Sequence, residues 1–268
     1  ARNSDLSIIV VGSSDNYESE GEDRPTMKLT GKQDELIESI LNVNQNTIVI
    51  INTGSPVEMP WVNKCPAILQ VWLPGQEGGN AMANVVFGNV NPSGKLPVTF
   101  PKKLEDNPSY GYYPGDKKVF YDEGIYVGYR HYDTKNVDPL FPFGHGLSYT
   151  KFDYGPIAGP SNIVSGEKIN LSITVKNSGQ RKGKDVVQCY IRDMESSIDR
   201  PNKELKAFQK VTLEPNESKL IKISLDETAL SFFDPGYNSW VVEQGKFEIL
   251  IGSSSRDIRS RKIINFKN

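Results

Sequence analysis

Two kinds of apolar run divide this chain, and they cannot build the same sheet. In the first half the runs are continuous: LSIIVVG from Leu6 to Gly12, TIVIIN from Thr47 to Asn52 and AILQVW from Ala67 to Trp72. Unbroken hydrophobicity over so few residues suits strands buried on both faces, as in a parallel sheet. From Phe152 onward the runs alternate. KINLSITV (Lys168 to Val175) places apolar side chains at every second position. Similar short segments recur at Val186 to Arg192, Lys203 to Val211, Ser218 to Leu225 and Gly245 to Ile251, with turn signals such as Asn177-Ser178-Gly179 between them. That pattern predicts an antiparallel β-sandwich of about seven strands.

Helical spacing fills the gaps of the first half. Leu36, Ile37, Ile40 and Leu41 recur at three-to-four spacing, and Gly75 to Gly79 opens a second helix with Ala81, Met82, Val85 and Val86 on its apolar face. Pro56 and Pro60 make SPVEMPWV a bent connection, and Leu96 to Phe100 reads as a short last strand. Strand and helix alternate, so the expected fold is α/β, a partial and mostly parallel sheet with flanking helices, followed by an all-β sandwich. The expected domains are residues 1–101 and 148–268, with the sandwich beginning near Leu147–Tyr154. Between them, residues 102–147 form an irregular wrapping linker rich in Pro, Gly and Tyr. Such a length without structure of its own is uncommon in a compact domain, so its aromatics should anchor it to a surface. Tyr126, Tyr129 and Tyr132 are expected in short extended segments.

Composition removes several classes of function. A length of 268 residues fits about two domains of roughly 150 residues. The net charge of −2 gives no general attraction to nucleic acid or anionic membrane. The longest apolar runs are far shorter than a membrane-spanning helix needs. Two cysteines, Cys65 and Cys189, fall in different halves, which argues against a disulfide. With only His131 and His145 beside them, no metal cluster is expected, and neither histidine stands in a nucleophile motif. GQEGGN at residues 75–80 lacks the spacing of a phosphate-binding loop.

Chemistry points instead to the polar loop from Ser13 to about Thr30. It leaves the carboxyl end of the first strand, where open α/β sheets place their ligands. Glu18, Glu20, Glu22 and Asp23 crowd four carboxyls into six positions. Crowded like charges favour protonation of at least one, whereas Arg24 holds a neighbour ionised. Charge alone does not choose among them, and a solvated acidic surface is the plainer reading of any such run.

Four segments together resemble glycoside hydrolase family 3: ESEGEDR (Glu18 to Arg24), PGQEGGNAMANVVFGNVNPSGKLPVTFP (Pro74 to Pro101), YDEGIYVGYRHYD (Tyr121 to Asp133) and PLFPFGHGLSYTKFDY (Pro139 to Tyr154). LKAFQKVTLEP and WVVEQGKFEILIGSSS are similar to that family's fibronectin type III-like domain. Order and spacing agree along essentially the whole chain. The resemblance implies a retaining β-glucosidase plan with three parts. A barrel carries the nucleophilic aspartate, an α/β sandwich carries the acid/base glutamate, and the fibronectin-like domain comes last. On that plan Glu20, the glutamate before Gly21 in Glu20-Gly21-Glu22-Asp23-Arg24, is the general acid/base. Asp23 and Arg24 shape the loop, and Glu18 is both a supporting residue and the competitor for proton donor.

The resemblance also implies that the nucleophile is not in this chain, which begins inside the sandwich domain. A sheet cut open exposes an edge that another chain will pair with. The expected partners are therefore a β-glucoside substrate and a chain or segment carrying the missing barrel and the rest of the α/β sheet. No cofactor or metal is implied, and the chain alone should be neither stable nor active. A β-xylosidase of the same family, or a non-catalytic carbohydrate-binding or adhesive module, are the alternatives. Trp61, ahead of Trp72, is the candidate for stacking on a sugar, although most aromatics of such a chain pack in cores. A secreted or periplasmic location is favoured over a cytoplasmic one.

Overall fold

A computed structural model describes residues 1–14, 16–21, 23–115 and 117–267. The chain forms two compact units, Ala1–Asn89 with Phe100–Gly111, and Val90–Thr99 with Tyr112–Asn268.

The first unit is built on three parallel strands, β1 (Ser7–Gly12), β2 (Thr47–Asn52) and β3 (Ala67–Gln70), in the order β1-β2-β3. Helix α1 (Gln33–Leu41) joins β1 to β2 and buries Ile37 and Leu41 completely. Ile9, Val11, Val49 and Ile51 face the same interior. Burying each such side chain stabilises by about 1.5–3 kcal/mol. Gly12 is required where β1 meets β2, because a Cβ there would lie 2.3 Å from the Asn52 carbonyl oxygen. Helix α2 (Gly78–Val86) follows β3.

The continuous run of β1 predicts burial on both faces, and only one face is buried. Ile8 and Val10 are 46% and 60% exposed, and Leu36, Val43, Leu73 and Phe87 are also open to solvent. The apolar residues expected on α2 are at best half-buried. No strand forms over Leu96 to Phe100. Pro97 has no N–H to give to a ladder, and Leu96 instead exchanges backbone hydrogen bonds with the 144–145 turn, donating to His145 O at 2.8 Å and accepting from Gly144 N at 2.8 Å.

In the second unit Tyr129–Thr134 forms a short helix, α3, rather than an extended segment. Tyr129 stacks on Phe143 at 4.9 Å and meets Tyr190 edge-on at 5.8 Å, so its ring serves as an anchor in a helical turn. The strands that follow are β4 (Phe152–Tyr154), β5 (Asn162–Val164), β6 (Ile169–Asn177), β7 (Gly183–Asp193), β8 (Glu204–Leu213), β9 (Ser218–Leu225), β10 (Phe232–Asp234), β11 (Ser239–Val241), β12 (Gly245–Gly252) and β13 (Ile258–Lys267). They make a five-stranded sheet, β5-β13-β12-β7-β8, a three-stranded sheet, β4-β6-β9, and the hairpin β10-β11. The β13–β5 pairing is parallel, a departure from the all-antiparallel expectation. One core joins the two larger sheets: Val187, Cys189, Ile191, Phe247, Ile249 and Ile264 from one, and Ile169, Ile173, Val175 and Ile223 from the other. On β6 burial alternates residue by residue, as its sequence does.

Buried charges in this unit are paired. Asp133 bonds Lys203 Nζ at 2.7 Å and also pairs with Arg256. Asp185 takes Lys95 Nζ at 3.0 Å and the Tyr154 hydroxyl at 2.8 Å. Cys65 and Cys189 are free thiols, and burial pushes the Cys189 thiol up to about 12. Among the described residues, no helix is long and apolar enough to cross a membrane.

Candidate active site

The acidic loop leaves β1 at Gly12 and is pinned at both ends by one side chain. Gln33, at the start of α1, accepts from the Gly12 N–H at 2.8 Å and donates to Gly12 O at 2.9 Å, Thr30 O at 3.0 Å and Thr30 Oγ1 at 2.8 Å. Its amide mimics a strand partner for the last residue of β1 and ties the return of the loop beside it. A turn then folds the entry, with Tyr17 and Glu18 N–H groups donating to Ser14 O at 2.8 and 3.0 Å.

That turn directs Glu18 inward. Its carboxylate accepts from Arg24 Nη1 at 2.9 Å, from the Ser55 hydroxyl at 2.6 Å and from the Gly54 N–H at 2.9 Å. Arg24 also donates to Ser55 Oγ. The Glu18 side chain keeps 15% of its exposure. Burial alone would raise its pKa, but the Ser55 hydroxyl, the Gly54 N–H and the Arg24 charge outweigh burial and hold the carboxyl below its ordinary range. Glu18 is thus a fixed anion. A carboxylate that accepts three hydrogen bonds from firm donors is a poor source of a proton near neutral pH.

Glu20, Gly21 and Asp23 lie in sequence between the two clamped residues and are exposed, and Glu22 lies outside the described residues. An extended loop would project Glu18 and Glu20 to one side. The structure separates them: Glu18 is drawn into the body of the unit, and Glu20 stands at the tip of a segment closed by the Glu18–Arg24 ion pair.

Two of the residues that hold Glu18, Gly54 and Ser55, come from the turn after β2, which the sequence shows only as a proline-bent connection. Thr53, Gly54 and Ser55 follow the carboxyl end of β2 as the acidic loop follows β1, so the two loops emerge side by side. The turn is braced: Gln70 Nε2, at the end of β3, donates to Thr53 O at 3.0 Å, and the Thr53 hydroxyl donates to Ser55 O at 2.9 Å. Position at the carboxyl ends of adjacent parallel strands was the signal that could have found Ser55.

Trp61 does not offer a stacking face. It is fully buried, and its indole N–H donates to Asp34 Oδ1 at 2.8 Å, which makes it a core residue of the first unit. Trp72 is half-buried, has a left-handed φ of 57°, and lies 5.9 Å from Phe100. A bulky residue in that conformation is uncommon, and such strain concentrates at functional edges of folds. Glu77 pairs with Asn80 Nδ2 at 2.6 Å. His131 meets Tyr132 edge-on and His145 stacks on Phe141, and burial lowers the pKa of both. Among the described residues, no group of three or more His, Cys, Asp or Glu could hold a metal ion.

The chain matches the glycosyl hydrolase family 3 C-terminal domain over residues 1–149 and the fibronectin type III-like domain over residues 185–255. It is 51% identical over 260 residues to thermostable β-glucosidase B of Acetivibrio thermocellus, covering 96% of this chain and 34% of that protein. It is 49% identical to β-glucosidase BoGH3A of Bacteroides ovatus, covering 97% of this chain and 36% of the relative. The crystal structure of β-glucosidase from Kluyveromyces marxianus in complex with glucose superposes with a TM-score of 0.96 at 39% identity, covering 100% of this chain and 32% of that one. The chain therefore spans about a third of the length of these relatives. It belongs to glycosyl hydrolase family 3, of which it carries the C-terminal domain followed by the fibronectin type III-like domain.

Proposed function

We propose that this chain is the acid/base-bearing part of a retaining β-glucosidase that removes terminal non-reducing β-D-glucosyl residues, with Glu20 as the general acid/base. The observation that carries this reading is the contrast between the two glutamates. Glu18 is locked as an anion by Ser55, Gly54 and Arg24, while Glu20 stands exposed at the tip of the same loop. Similarity to proteins named β-glucosidases supports reading the substrate as a glucosyl rather than a xylosyl one.

Retention needs two carboxyl groups about 5–5.5 Å apart. The second, the nucleophile, belongs on a segment beyond this chain, in keeping with relatives about three times as long. In the first step Glu20 gives its proton to the glycosidic oxygen. The bond from that oxygen to the anomeric carbon breaks as the nucleophilic carboxylate forms an ester to the same carbon. In the second step Glu20 takes a proton from water as the water oxygen attacks and the ester bond breaks. No cofactor enters either step. The open apolar residues Ile8 and Val10 on β1 are read as surface that the remainder of the enzyme covers, so the isolated chain should be inactive.

Glu20→Gln tests the assignment in the chain assembled with the segment that carries the nucleophile. Proton donation matters most when the leaving group is poor, so kcat/KM on phenyl β-D-glucoside should fall by about 100-fold or more. On 2,4-dinitrophenyl β-D-glucoside, which needs little protonation to depart, the glycosylation step should change far less. Equal loss on both substrates would remove Glu20 from the role.

A further inference from the structure

We infer that Ser55, with Glu18 and Arg24, forms a clamp that sets where the Glu20 carboxyl stands, making Ser55 a positioning residue for proton transfer. This rests on the reading of Glu20 as the acid/base and adds to it a residue from a different loop. The geometry carries the inference. Ser55 Oγ donates to Glu18 at 2.6 Å and accepts from Arg24, so one hydroxyl touches both residues that flank the Glu20 tip. Gly54 N–H holds the other Glu18 oxygen at 2.9 Å. Among the described residues, Arg24, Gly54 and Ser55 hold the Glu18 carboxylate, the first from within the acidic loop and the other two from the turn after β2.

The chain of support runs back to the sheet. Ser55 O is held by the Thr53 hydroxyl at 2.9 Å, and Thr53 O by Gln70 at the end of β3 at 3.0 Å. The Glu20 tip is therefore referenced to all three strands: to β1 through Gly12 and Gln33, to β2 through the Thr53–Ser55 turn, and to β3 through Gln70. An exposed glutamate on an unclamped loop would sample many positions. Productive proton transfer needs heavy atoms within about 2.6–3.2 Å, and a misplacement of about 1 Å can cost about 100-fold. The depressed titration of Glu18 fits the same role, since the clamp needs that group charged through the working pH range.

The test uses the assembled enzyme with Ser55→Ala, Glu18→Gln and Ser55→Thr, and Glu20→Gln as reference. If the clamp positions the acid, Ser55→Ala and Glu18→Gln lower kcat/KM on phenyl β-D-glucoside by about 10- to 100-fold and on 2,4-dinitrophenyl β-D-glucoside by less than about 3-fold, with the melting temperature unchanged. Ser55→Thr, which keeps the hydroxyl, recovers most of the loss. Equal losses on both substrates, or no loss on either, while Glu20→Gln still discriminates between them, would overturn the clamp and leave Glu20 in place. If Glu20→Gln itself fails to discriminate, the acid/base reading fails first and the clamp falls with it.

Discussion

The two units of this chain use apolar residues in opposite ways. In the second, alternation in sequence becomes alternation in burial, and apolar side chains of β6, β7, β9 and β12 meet in one closed core. In the first, apolar runs are continuous, yet Ile8 and Val10 of β1 stay exposed beside buried Ile9 and Val11. The difference teaches which unit is self-sufficient. A sandwich supplies both of its own faces, whereas a parallel sheet needs layers on two sides. Three strands with α1 buried on one side satisfy half of that requirement.

The largest expected effect tests the closed core. Phe247 is almost wholly buried among both sheets, and Phe247→Ala should destabilise the second unit by about 3–5 kcal/mol. Denaturant unfolding followed by circular dichroism would show it, and a loss below about 1 kcal/mol would mean the sandwich core is looser than described. Next comes its buried charge network. Asp133→Ala leaves Lys203 and Arg256 without their shared carboxylate, and breaking a buried pair on one side costs about 3–5 kcal/mol. A thermal shift indistinguishable from wild type would show that water already reaches this pair.

A smaller, pH-dependent effect separates the units further. Burial alone would raise the Glu204 pKa, but Lys206, Arg200 and Arg130 outweigh it and lower it. A carboxyl with a depressed folded-state pKa stabilises fully above its unfolded value of about 4.3. That contribution is lost as pH falls through the still lower folded value. Stability of the second unit measured from pH 6 down to pH 3 should fall more steeply in wild type than in Glu204→Gln, and parallel curves would refute the linkage. The smallest effect belongs to the open face. Val10→Lys should change the stability of the isolated chain by no more than about 0.5 kcal/mol, because the side chain is already in water. A large loss would show that the β1 face is covered in the isolated chain, and would erase the contrast between the units.

Much of the fold was legible in local pattern. Thr47–Asn52 and Ser218–Leu225 read as strands from sequence with the bounds they have in the structure, because a period of one or two residues is a local property. Ile258–Lys267 was missed. Arg259, Arg261 and Lys262 interrupt its apolar pattern, and its first half alternates exposed with only half-buried positions, so little in the local sequence marks a strand. The segment at Tyr129–Thr134 read as extended and forms a helical turn, where Tyr129 packs between Phe143 and Tyr190, residues far along the chain.

The site divides in the same way. By itself the sequence determined the family resemblance, the two-part architecture and the crowding of carboxyls after the first strand, since each rests on residues close together in the chain. Only the tertiary structure decided that Trp61 is core rather than a stacking face, and that Glu18 is held as an anion while Glu20 is not drawn in beside it. The reason is distance along the chain. Asp34 meets Trp61 across 27 residues, and Gly54 and Ser55 reach Glu18 across 36 and 37. A carboxylate's protonation is set by donors brought to it through space, and a run of four acidic residues does not say which one they will reach.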